Sequence, residues 1–234
     1  MREARGILFD YGGTLIGQTH FDPARGTRRL LELAARNPRG VDVSEVHARS
    51  AELRHELQVV VGALAEFPTH FFRRLLYDQL GVTFELGDVE LDRQYWDAAI
   101  RTEVQQAVTE ALAAVAAMGV PMGIVSNFAF SGEVILHDLA KHHVKTRFET
   151  VVASSDYGVR KPHAALFRAA AGRLGLEPRD IWFVGDSLDN DIMGARGVGM
   201  TAVWFNPRGD VWTEVKPNLE FSRWSKFPAL VAGH

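Results

Sequence analysis

Short apolar runs recur along the chain, and each stops at a turn or a polar residue, which is the pattern of buried strands. Five such runs predict strands over residues 7–9, 122–125, 150–153, 181–184 and 201–205. Helical patterns lie between them over residues 102–118, 131–142, 163–174 and 190–196. Strands that alternate with helices predict a parallel sheet covered on both faces. The expected fold class is therefore α/β, with a Rossmann-like doubly wound parallel sheet as its core.

One long segment after the first strand contains helical patterns alone. Asp22-Pro23 is typical of a helix start, and further helices are predicted over residues 44–65, 69–80 and 86–100. Because this segment joins the first and second predicted strands, its base lies close to the carboxyl edge of the sheet. We therefore predict an α/β core domain from residues 1–16 and 102–234, and an inserted all-helical cap domain over residues 17–101.

Composition narrows the class of protein further. The 234 residues are 47% hydrophobic and 24% charged, as in folded globular proteins. A formal net charge of −3 provides no overall field for nucleic acid or an anionic membrane, so we expect neither as a partner. The lack of cysteine excludes disulfides and a cysteine nucleophile. No early apolar run is long enough for a signal peptide, so a cytoplasmic location is expected, while the oligomeric state stays undefined.

Polar side chains follow four of the predicted strands. In chain order they are Asp10, Ser126, Asn127, Lys161, Asp186 and Asp191. Taken singly, each has an ordinary explanation as a turn, a helix cap or a solvated loop. Parallel strands end at one edge of a sheet, however, and ligands bind beyond that edge. The topology therefore predicts that a carboxylate, a hydroxyl, a lysine and an acidic pair meet there.

In order and spacing, these segments resemble the four motifs of the haloacid dehalogenase-like hydrolases, most of which are phosphatases. The segments are residues 7–15 (ILFDYGGTL), 125–127 (VSN), 160–162 (RKP) and 184–191 (VGDSLDND). The resemblance covers the whole sheet portion, and the helical insert resembles the family's cap between motifs one and two. It implies that the chain hydrolyses a small phosphorylated metabolite.

The resemblance also implies a nucleophile and a metal. Asp10 would attack phosphorus and form an aspartyl-phosphate. Mg²⁺ would be bound by Asp10, the backbone carbonyl of Gly12 and Asp186, since hard cations prefer oxygen ligands. Asp191 would bind the metal directly or steer its waters.

Further residues of the motifs would hold the phosphate. Ser126 would donate a hydrogen bond to it, and Lys161 would neutralise both the phosphate and Asp10. Gly13, Thr14 and Asn127 would complete the phosphate-binding set, to which exposed backbone amides contribute.

One position departs from the family's pattern. Its phosphatases carry a second Asp two residues after the nucleophile, where this chain has Gly12. A glycine cannot exchange protons, so the loss of general acid–base catalysis would cost ~10²–10⁴-fold in rate. His20 is the preferred candidate to substitute, followed by Gln18 and Asp22. Without such an acid, leaving groups of low pKa should be favoured, as in aryl and acyl phosphates.

Two other functions stay open at this point. Gly12 is also compatible with a catalytically weak or inactive protein that binds and senses a phosphometabolite. Alternatively, Asp10 could attack carbon, as in 2-haloacid dehalogenases. Those enzymes need no metal and have a tyrosine two residues after the nucleophile, whereas Tyr11 comes one residue after it here. The presence of Asp186 and Asp191 favours magnesium and phosphate.

Aromatic and arginine side chains in the cap could face a substrate, although aromatics at helical spacing are more often part of a core. The candidates are Phe67, His70, Phe71, Arg73, Arg74, Tyr77 and Trp96. The cap contains no lysine, because the first lysine of the chain is Lys141. It therefore cannot supply the Schiff-base lysine of phosphonate-cleaving relatives.

Overall fold

The five predicted strands are all present in a computed structural model, which describes residues 3–58, 64–144, 148–212 and 214–233. In chain order the described strands are β1 (Gly6–Phe9), β2 (Ile16–Phe21), β3 (Ile100–Val104), β4 (Met122–Ser126), β5 (Thr150–Ala153), β6 (Ile181–Gly185), β7 (Thr201–Phe205) and β8 (Leu219–Phe221). Six of them form one parallel sheet in the order β5-β4-β1-β6-β7-β8. The α/β fold class is confirmed.

Helices cover both faces of this sheet. In chain order the described α-helices are α1 (Pro23–Glu32), α2 (Val43–Gln58), α3 (Thr69–Leu80), α4 (Asp88–Ala99), α5 (Val108–Ala117), α6 (Gly132–Lys141), α7 (Ser154–Tyr157), α8 (Ala164–Leu174), α9 (Met193–Gly197) and α10 (Phe227–Val231). None of the described helices combines the length and the apolar character needed to cross a membrane.

The central strands are buried on both faces, which explains their continuous apolar sequence. Every residue of β1, β4 and β6 is buried. Because alternate side chains of a strand point to opposite faces, Ile7 and Phe9 enter one hydrophobic cluster with Leu112 of α5. Leu8 enters a second cluster with Phe167 of α8. Two cores thus hold β1 in place, and with it the residue that follows.

The strand order places a topological switch beside β1. The connection after β1 leads to β4 on one side, whereas the connection after β6 leads to β7 on the other. Ligands of doubly wound sheets bind where neighbouring connections diverge in this way. The carboxyl ends of β1 and β6 therefore define the position expected for the site.

A short antiparallel ribbon connects the helical insert to the sheet, and the sequence did not predict it. β2 pairs with β3, and the predicted helix over residues 102–118 begins only at Val108 because β3 occupies its first residues. Most side chains of the ribbon are exposed or half-buried. A solvated ribbon needs no apolar alternation, so the pattern on which the prediction relied is missing.

The helical insert packs α1 to α4 around its own apolar cluster. Leu30, Leu53, Leu76 and Leu91 are among the buried members. The helix predicted over residues 44–65 is present as α2, and residues 59–63 lie outside the described part of the chain. The division into a core and a cap at residues 16/17 and 101/102 stays a prediction.

Candidate active site

Lys161 lies between two carboxylates at the carboxyl edge of the sheet. Its Nζ donates to Asp10 Oδ1 and to Asp191 Oδ1, both at 2.6 Å, and to the Val125 carbonyl at 3.0 Å. The lysine is 3% exposed and Asp10 is 6% exposed. A buried lysine is found almost only where it is paired. The structure thus brings together three of the residues that the sequence predicted.

A third carboxylate completes the cluster. One oxygen each of Asp10, Asp186 and Asp191 lies within 4.8 Å of the other two. Thr14 Oγ1 lies 3.4 Å from Asp10 Oδ2 and from Asp186 Oδ1. Among the described residues, three carboxylates therefore face the ammonium of Lys161. Oxygen donors in this number and with this charge could hold a divalent metal ion.

The three carboxylates are not equally free to bind a metal. Asp191 accepts from Lys161 Nζ through Oδ1 and from the Ser187 amide through Oδ2 at 3.0 Å. It lies in a π-helical turn, Leu188–Ile192, where the sequence predicted the start of an α-helix. Asp186 is half-buried and keeps its oxygens on the side of Thr14 and Gly13. Both oxygens of Asp191 thus accept hydrogen bonds, and the metal-ligand roles of Asp10, Asp186 and Asp191 stay predictions.

Burial strongly affects the ionisation of this cluster. It raises the pKa of Asp10 to about 7, an effect that Lys161 opposes and Asp191 reinforces. Burial also raises the pKa of Asp186. For Lys161, burial alone would lower the pKa, but the carboxylates of Asp10 and Asp191 raise it above its ordinary value. The lysine is thus charged, and three carboxylates share this one ammonium.

The two glycines after Tyr11 have different structural roles. Gly13 has a φ of 86°, and a Cβ there would lie 2.4 Å from Asp186 Oδ2. Glycine is therefore required at that position for its conformation and for the close approach of the carboxylate. Gly12 has a φ outside the left-handed region, and a Cβ there would meet no atom within 4 Å. A Cβ at residue 12 is therefore sterically allowed.

Ser126 ends β4, and Asn127 follows it beside Lys161. Ser126 is buried at the last position of the strand. The Asn127 side chain accepts from the Lys161 amide at 2.6 Å and donates to the Lys161 carbonyl at 3.1 Å. It thereby fixes the backbone of the lysine. The sequence predicted Asn127 as a phosphate ligand and did not predict this supporting contact.

The candidate substitutes for the missing acid lie in different surroundings. His20 is exposed on β2, where it pairs with Arg101 of β3. Among the described residues, no hydrogen bond or ion pair joins His20 to Asp10. Asp22 caps α1 through its side chain. Gln18 faces the cavity described below. The proton-transfer role of His20 stays a prediction.

Asp138 is a buried side chain that sequence reasoning missed. It accepts hydrogen bonds from Tyr11 Oη at 2.6 Å, Trp96 Nε1 at 3.0 Å and Thr102 Oγ1 at 2.9 Å. Burial and then Asp138 hold the pKa of Tyr11 above its ordinary value, so its hydroxyl remains a donor. One carboxylate of α6 thus connects the loop after Asp10, the insert and β3. No local pattern links residues so distant in sequence.

A second missed contact joins the insert to the loop before Lys161. We call residues 64–69 the clamp segment. Glu66 is buried and accepts from Arg160 Nη1 at 2.7 Å, and the Arg160 amide donates to the carbonyl of residue 64 at 2.9 Å. The Thr69 amide donates to the Ala129 carbonyl at 2.8 Å. The clamp segment therefore contacts the loops on both sides of the site.

A cavity of about 950 Å³ lies between the insert and the loop after β4. Aromatic side chains in its wall are Phe67, Phe72, Tyr95, Trp96, Phe128 and Phe130. Four cap side chains predicted as candidates line it: Phe67, Arg73, Tyr77 and Trp96. The other three candidates, His70, Phe71 and Arg74, are not part of its described wall.

Comparison with known proteins agrees with this geometry. The model of the family described as "Hydrolase: haloacid dehalogenase-like hydrolase" matches residues 4–199. The chain belongs to the haloacid dehalogenase-like hydrolases, so the resemblance stated from the four motifs is confirmed.

Curated relatives include two phosphatases. The chain is 32% identical over 206 residues to a glyceraldehyde 3-phosphate phosphatase of Methanopyrus kandleri. The aligned region covers 85% of this chain and 82% of the relative. It is 29% identical over 205 residues to a phosphoglycolate phosphatase of Yersinia pestis, which covers 85% of this chain and 79% of the relative.

Solved structures share the fold. A phosphatase from Thermococcus onnurineus superposes with a TM-score of 0.62 at 22% identity, covering 98% of both chains. A 2-haloacid dehalogenase from Pseudomonas syringae pv. Tomato DC3000 superposes with a TM-score of 0.65 at 20% identity, covering 100% of this chain and 99% of that one. Since phosphatase and dehalogenase fit equally well, fold similarity does not separate the two reactions.

Proposed function

We propose that the protein is a Mg²⁺-dependent phosphatase that hydrolyses small phosphate monoesters through an aspartyl-phosphate on Asp10. The observation that supports this most directly is the charge of the cluster. Fully ionised, the three carboxylates and one ammonium would carry two excess negative charges, and burial, which raises the pKa of Asp10 to about 7, allows a proton to neutralise one of them when no cation is bound. A buried excess of this size favours a divalent cation, and the donors are all oxygens. A dehalogenase that uses no metal has no need of this excess.

Asp10 and Asp186 would hold the magnesium ion, with the carbonyl of Gly12 as a further donor. When bound, the ion would supply positive charge that offsets the phosphate oxygens and keeps Asp10 ionised. Lys161 orients the Asp10 carboxylate through its 2.6 Å hydrogen bond and offsets charge that develops on the transferred group. Ser126, Thr14 and the amides of the loop after β1 would bind the remaining oxygens.

The reaction then takes two displacements at phosphorus. In the first, an oxygen of Asp10 bonds to phosphorus, and the ester P–O bond breaks with its electron pair on the alcohol oxygen. In the second, water attacks phosphorus and the bond to Asp10 breaks, which releases inorganic phosphate. Because Gly12 has no side chain, residue 12 neither protonates the leaving oxygen nor activates this water. The sequence predicts His20 as a substitute, but among the described residues no hydrogen bond or ion pair joins it to Asp10, and without such an acid a leaving group of low pKa is favoured.

A phosphatase screen with and without Mg²⁺ tests this proposal. Suitable substrates are sugar phosphates, nucleotides, phosphoglycolate and an aryl phosphate, with phosphate release as the measurement. We expect release that depends on added Mg²⁺ and is lost with EDTA. Release that is unaffected by EDTA would contradict the proposed role of the acidic cluster.

Gly12 favours a second candidate, a protein that binds a phosphometabolite without turning it over. In that case no ester is hydrolysed, while inorganic phosphate still binds in calorimetry and Lys161→Ala weakens this binding. Carbon–halogen cleavage by Asp10 is a third candidate, less favoured because of Asp186 and Asp191. Chloride release from 2-chloropropionate without metal would support it.

A further inference from the structure

We infer that the leaving group of the substrate is an aromatic alcohol, whose ring system occupies the cavity between the insert and the loop after β4. This inference rests on the proposed phosphatase function and names its substrate class. It is carried by the aromatic wall of the cavity and, independently, by the proton-transfer chemistry that residue 12 lacks.

The cavity is far larger than a two- or three-carbon acid requires. Its volume of about 950 Å³ lies at the upper end of the range for drug-sized ligands, ~300–1,000 Å³. Several wall aromatics are only half-buried, among them Phe72, Tyr95, Phe128 and Phe130. Aromatic surface that stays partly open to solvent in a concave site indicates an apolar ligand.

Rings from both sides of the cavity form one continuous surface. Phe128 and Phe130, from the loop after β4, have ring centroids 5.1 Å and 5.4 Å from Trp96 of α4. Tyr95 lies 6.0 Å from Phe130. Such separations are those of favourable aromatic pairs. A flat ring of the substrate would extend this series.

The two arginines of the wall have different neighbours. Arg73 is only 5% exposed, and its guanidinium donates to Asp92 and to Asp88. Arg54 lies with its Cζ 5.4 Å from the centre of the Phe72 ring. A guanidinium held against a ring also attracts the face of a further ring. Recognition by this wall therefore suits an aromatic group, and a phosphorylated two-carbon acid has none.

The cavity adjoins the reacting groups through one residue. Asn127 lines the cavity, and its side chain holds the backbone of Lys161 on the other side. The next three residues, 128–130, continue into the cavity wall. An ester group that followed this loop from a phosphate at the strand ends would reach the aromatic surface.

The chemistry at residue 12 leads to the same class of substrate. When the ester bond breaks, the electron pair stays on the leaving oxygen. A phenol has a pKa of ~10, as in tyrosine, whereas water, and similarly an alkanol, has a pKa of ~15.7. An aryloxide can therefore leave unprotonated and take its proton from water afterwards. The missing acid at Gly12 costs an aryl ester much less than an alkyl ester.

Two aryl esters separate ring binding from leaving-group acidity. Phenyl phosphate and 2-naphthyl phosphate have leaving groups of similar acidity but different ring size. We expect kcat/KM to be roughly tenfold or more higher for 2-naphthyl phosphate, because the second ring buries further apolar area. Phosphoglycolate should be the poorest of the three, and acetyl phosphate reports on the reacting groups without the cavity.

Two variants of α2 provide the structural test. Ser50 is buried and lines the cavity, so Ser50→Phe should fill it and lower the ratio of kcat/KM for 2-naphthyl phosphate to that for acetyl phosphate about tenfold. Ala48 is exposed on the same helix, and Ala48→Phe is the matched control, which should keep the parent ratio. If Ser50→Phe does not fold, Phe130→Ala should lower the same ratio by removing a ring from the wall.

The outcomes separate this inference from the function on which it rests. Equal kcat/KM values for the two aryl phosphates, or a preference for phosphoglycolate, would overturn the inference while the phosphatase proposal stands. An unchanged ratio in both cavity variants would do the same. If the parent releases phosphate from none of the four compounds, the proposed function fails and the inference fails with it.

Discussion

At the sheet edge Lys161 lies between Asp10 and Asp191, and in the insert Arg73 lies between Asp88 and Asp92. Both cations are buried, with side chains 2% and 6% exposed. The difference lies in the next neighbour. A further carboxylate, that of Asp186, joins the first cluster, whereas a further cation, Arg74, pairs with Asp88 in the second.

Charge balance, rather than burial, therefore distinguishes the two clusters. In the insert, two guanidinium groups match two carboxylates, and the pairs join α3 to α4 as a structural contact. At the sheet edge the carboxylates outnumber the ammonium among the described residues. A buried excess of charge is costly unless a ligand neutralises it. An unbalanced cluster at a strand end is for this reason a better indicator of a site than a buried ion pair alone.

The largest effect is expected from Asp10→Asn, compared with Asp92→Asn as the matched change in the balanced cluster. Asparagine keeps the shape of Asp10 but is a poor nucleophile, so kcat should fall on the order of 10³-fold or more. With acetyl phosphate as substrate, Asp92→Asn should leave kcat within about twofold, because Asp92 lies on α4 in the cavity wall, which this small substrate does not occupy. Phosphate release measures both, and circular dichroism checks the fold. Equal losses in the two variants would remove the distinction between the clusters.

Gly12→Asp adds a fourth carboxyl group to the cluster at the sheet edge. It also restores the second Asp of the family's pattern. Because a Cβ at residue 12 meets no atom within 4 Å and its φ is not left-handed, the protein should fold. Turnover of an alkyl phosphate should rise ~10²–10⁴-fold, and that of an aryl phosphate much less. Gly12→Asn is the control, since it has the same size and no acid. If Gly12→Asp binds Mg²⁺ without any gain and His20→Ala abolishes turnover in the parent, His20 is the acid.

Removing one carboxylate from each cluster tests where the metal binds. Asp186→Ala should weaken Mg²⁺ binding at least ~100-fold, because a direct ligand contributes more than the 10–100-fold of outer-shell partners. Asp88→Ala should leave the affinity of the parent, since Asp88 is matched by Arg73 and Arg74. Titration calorimetry measures both. Unchanged affinity in Asp186→Ala would exclude Asp186 as a ligand.

The last prediction concerns stability rather than activity or binding, namely its pH dependence in the balanced cluster. Burial raises the pKa of Asp92 to about 6, although Arg73 opposes the shift. The unfolded value is ~3.9, so the folded state binds this proton more tightly, and its contribution to stability declines as the pH rises from about 4 to about 6. Over that range Asp92→Asn should gain on the order of 3 kcal/mol relative to the parent. Urea unfolding at each pH checks this, and parallel profiles would contradict it.

Residues at strand ends could be predicted because their signal is local. Asp10 and Asp186 each follow a run of buried apolar residues, so a pattern of a few residues predicts both the strand and its end. β2 and β3 lack such a signal, since the ribbon is largely solvated. β8 has only three residues, too few for a periodicity.

The supporting contacts could not be predicted because they join distant parts of the chain. Asp138 accepts from Tyr11, 127 positions away, and Glu66 accepts from Arg160, 94 positions away. In the sequence, Asp138 and Glu66 each have the character of an ordinary surface charge. The sequence also did not predict that a Cβ is allowed at residue 12 but not at residue 13, because the clash at residue 13 depends on where the Asp186 carboxylate lies.

The clamp segment contacts both the cavity and the loop that precedes Lys161. Its hydrogen bonds support Arg160, the residue next to Lys161, and the loop that carries Asn127 and the cavity wall. Any motion that lifts residues 64–69 to admit a bulky ester also removes this support. Access of a bulky ester and support of the loop before Lys161 would then depend on the same few hydrogen bonds.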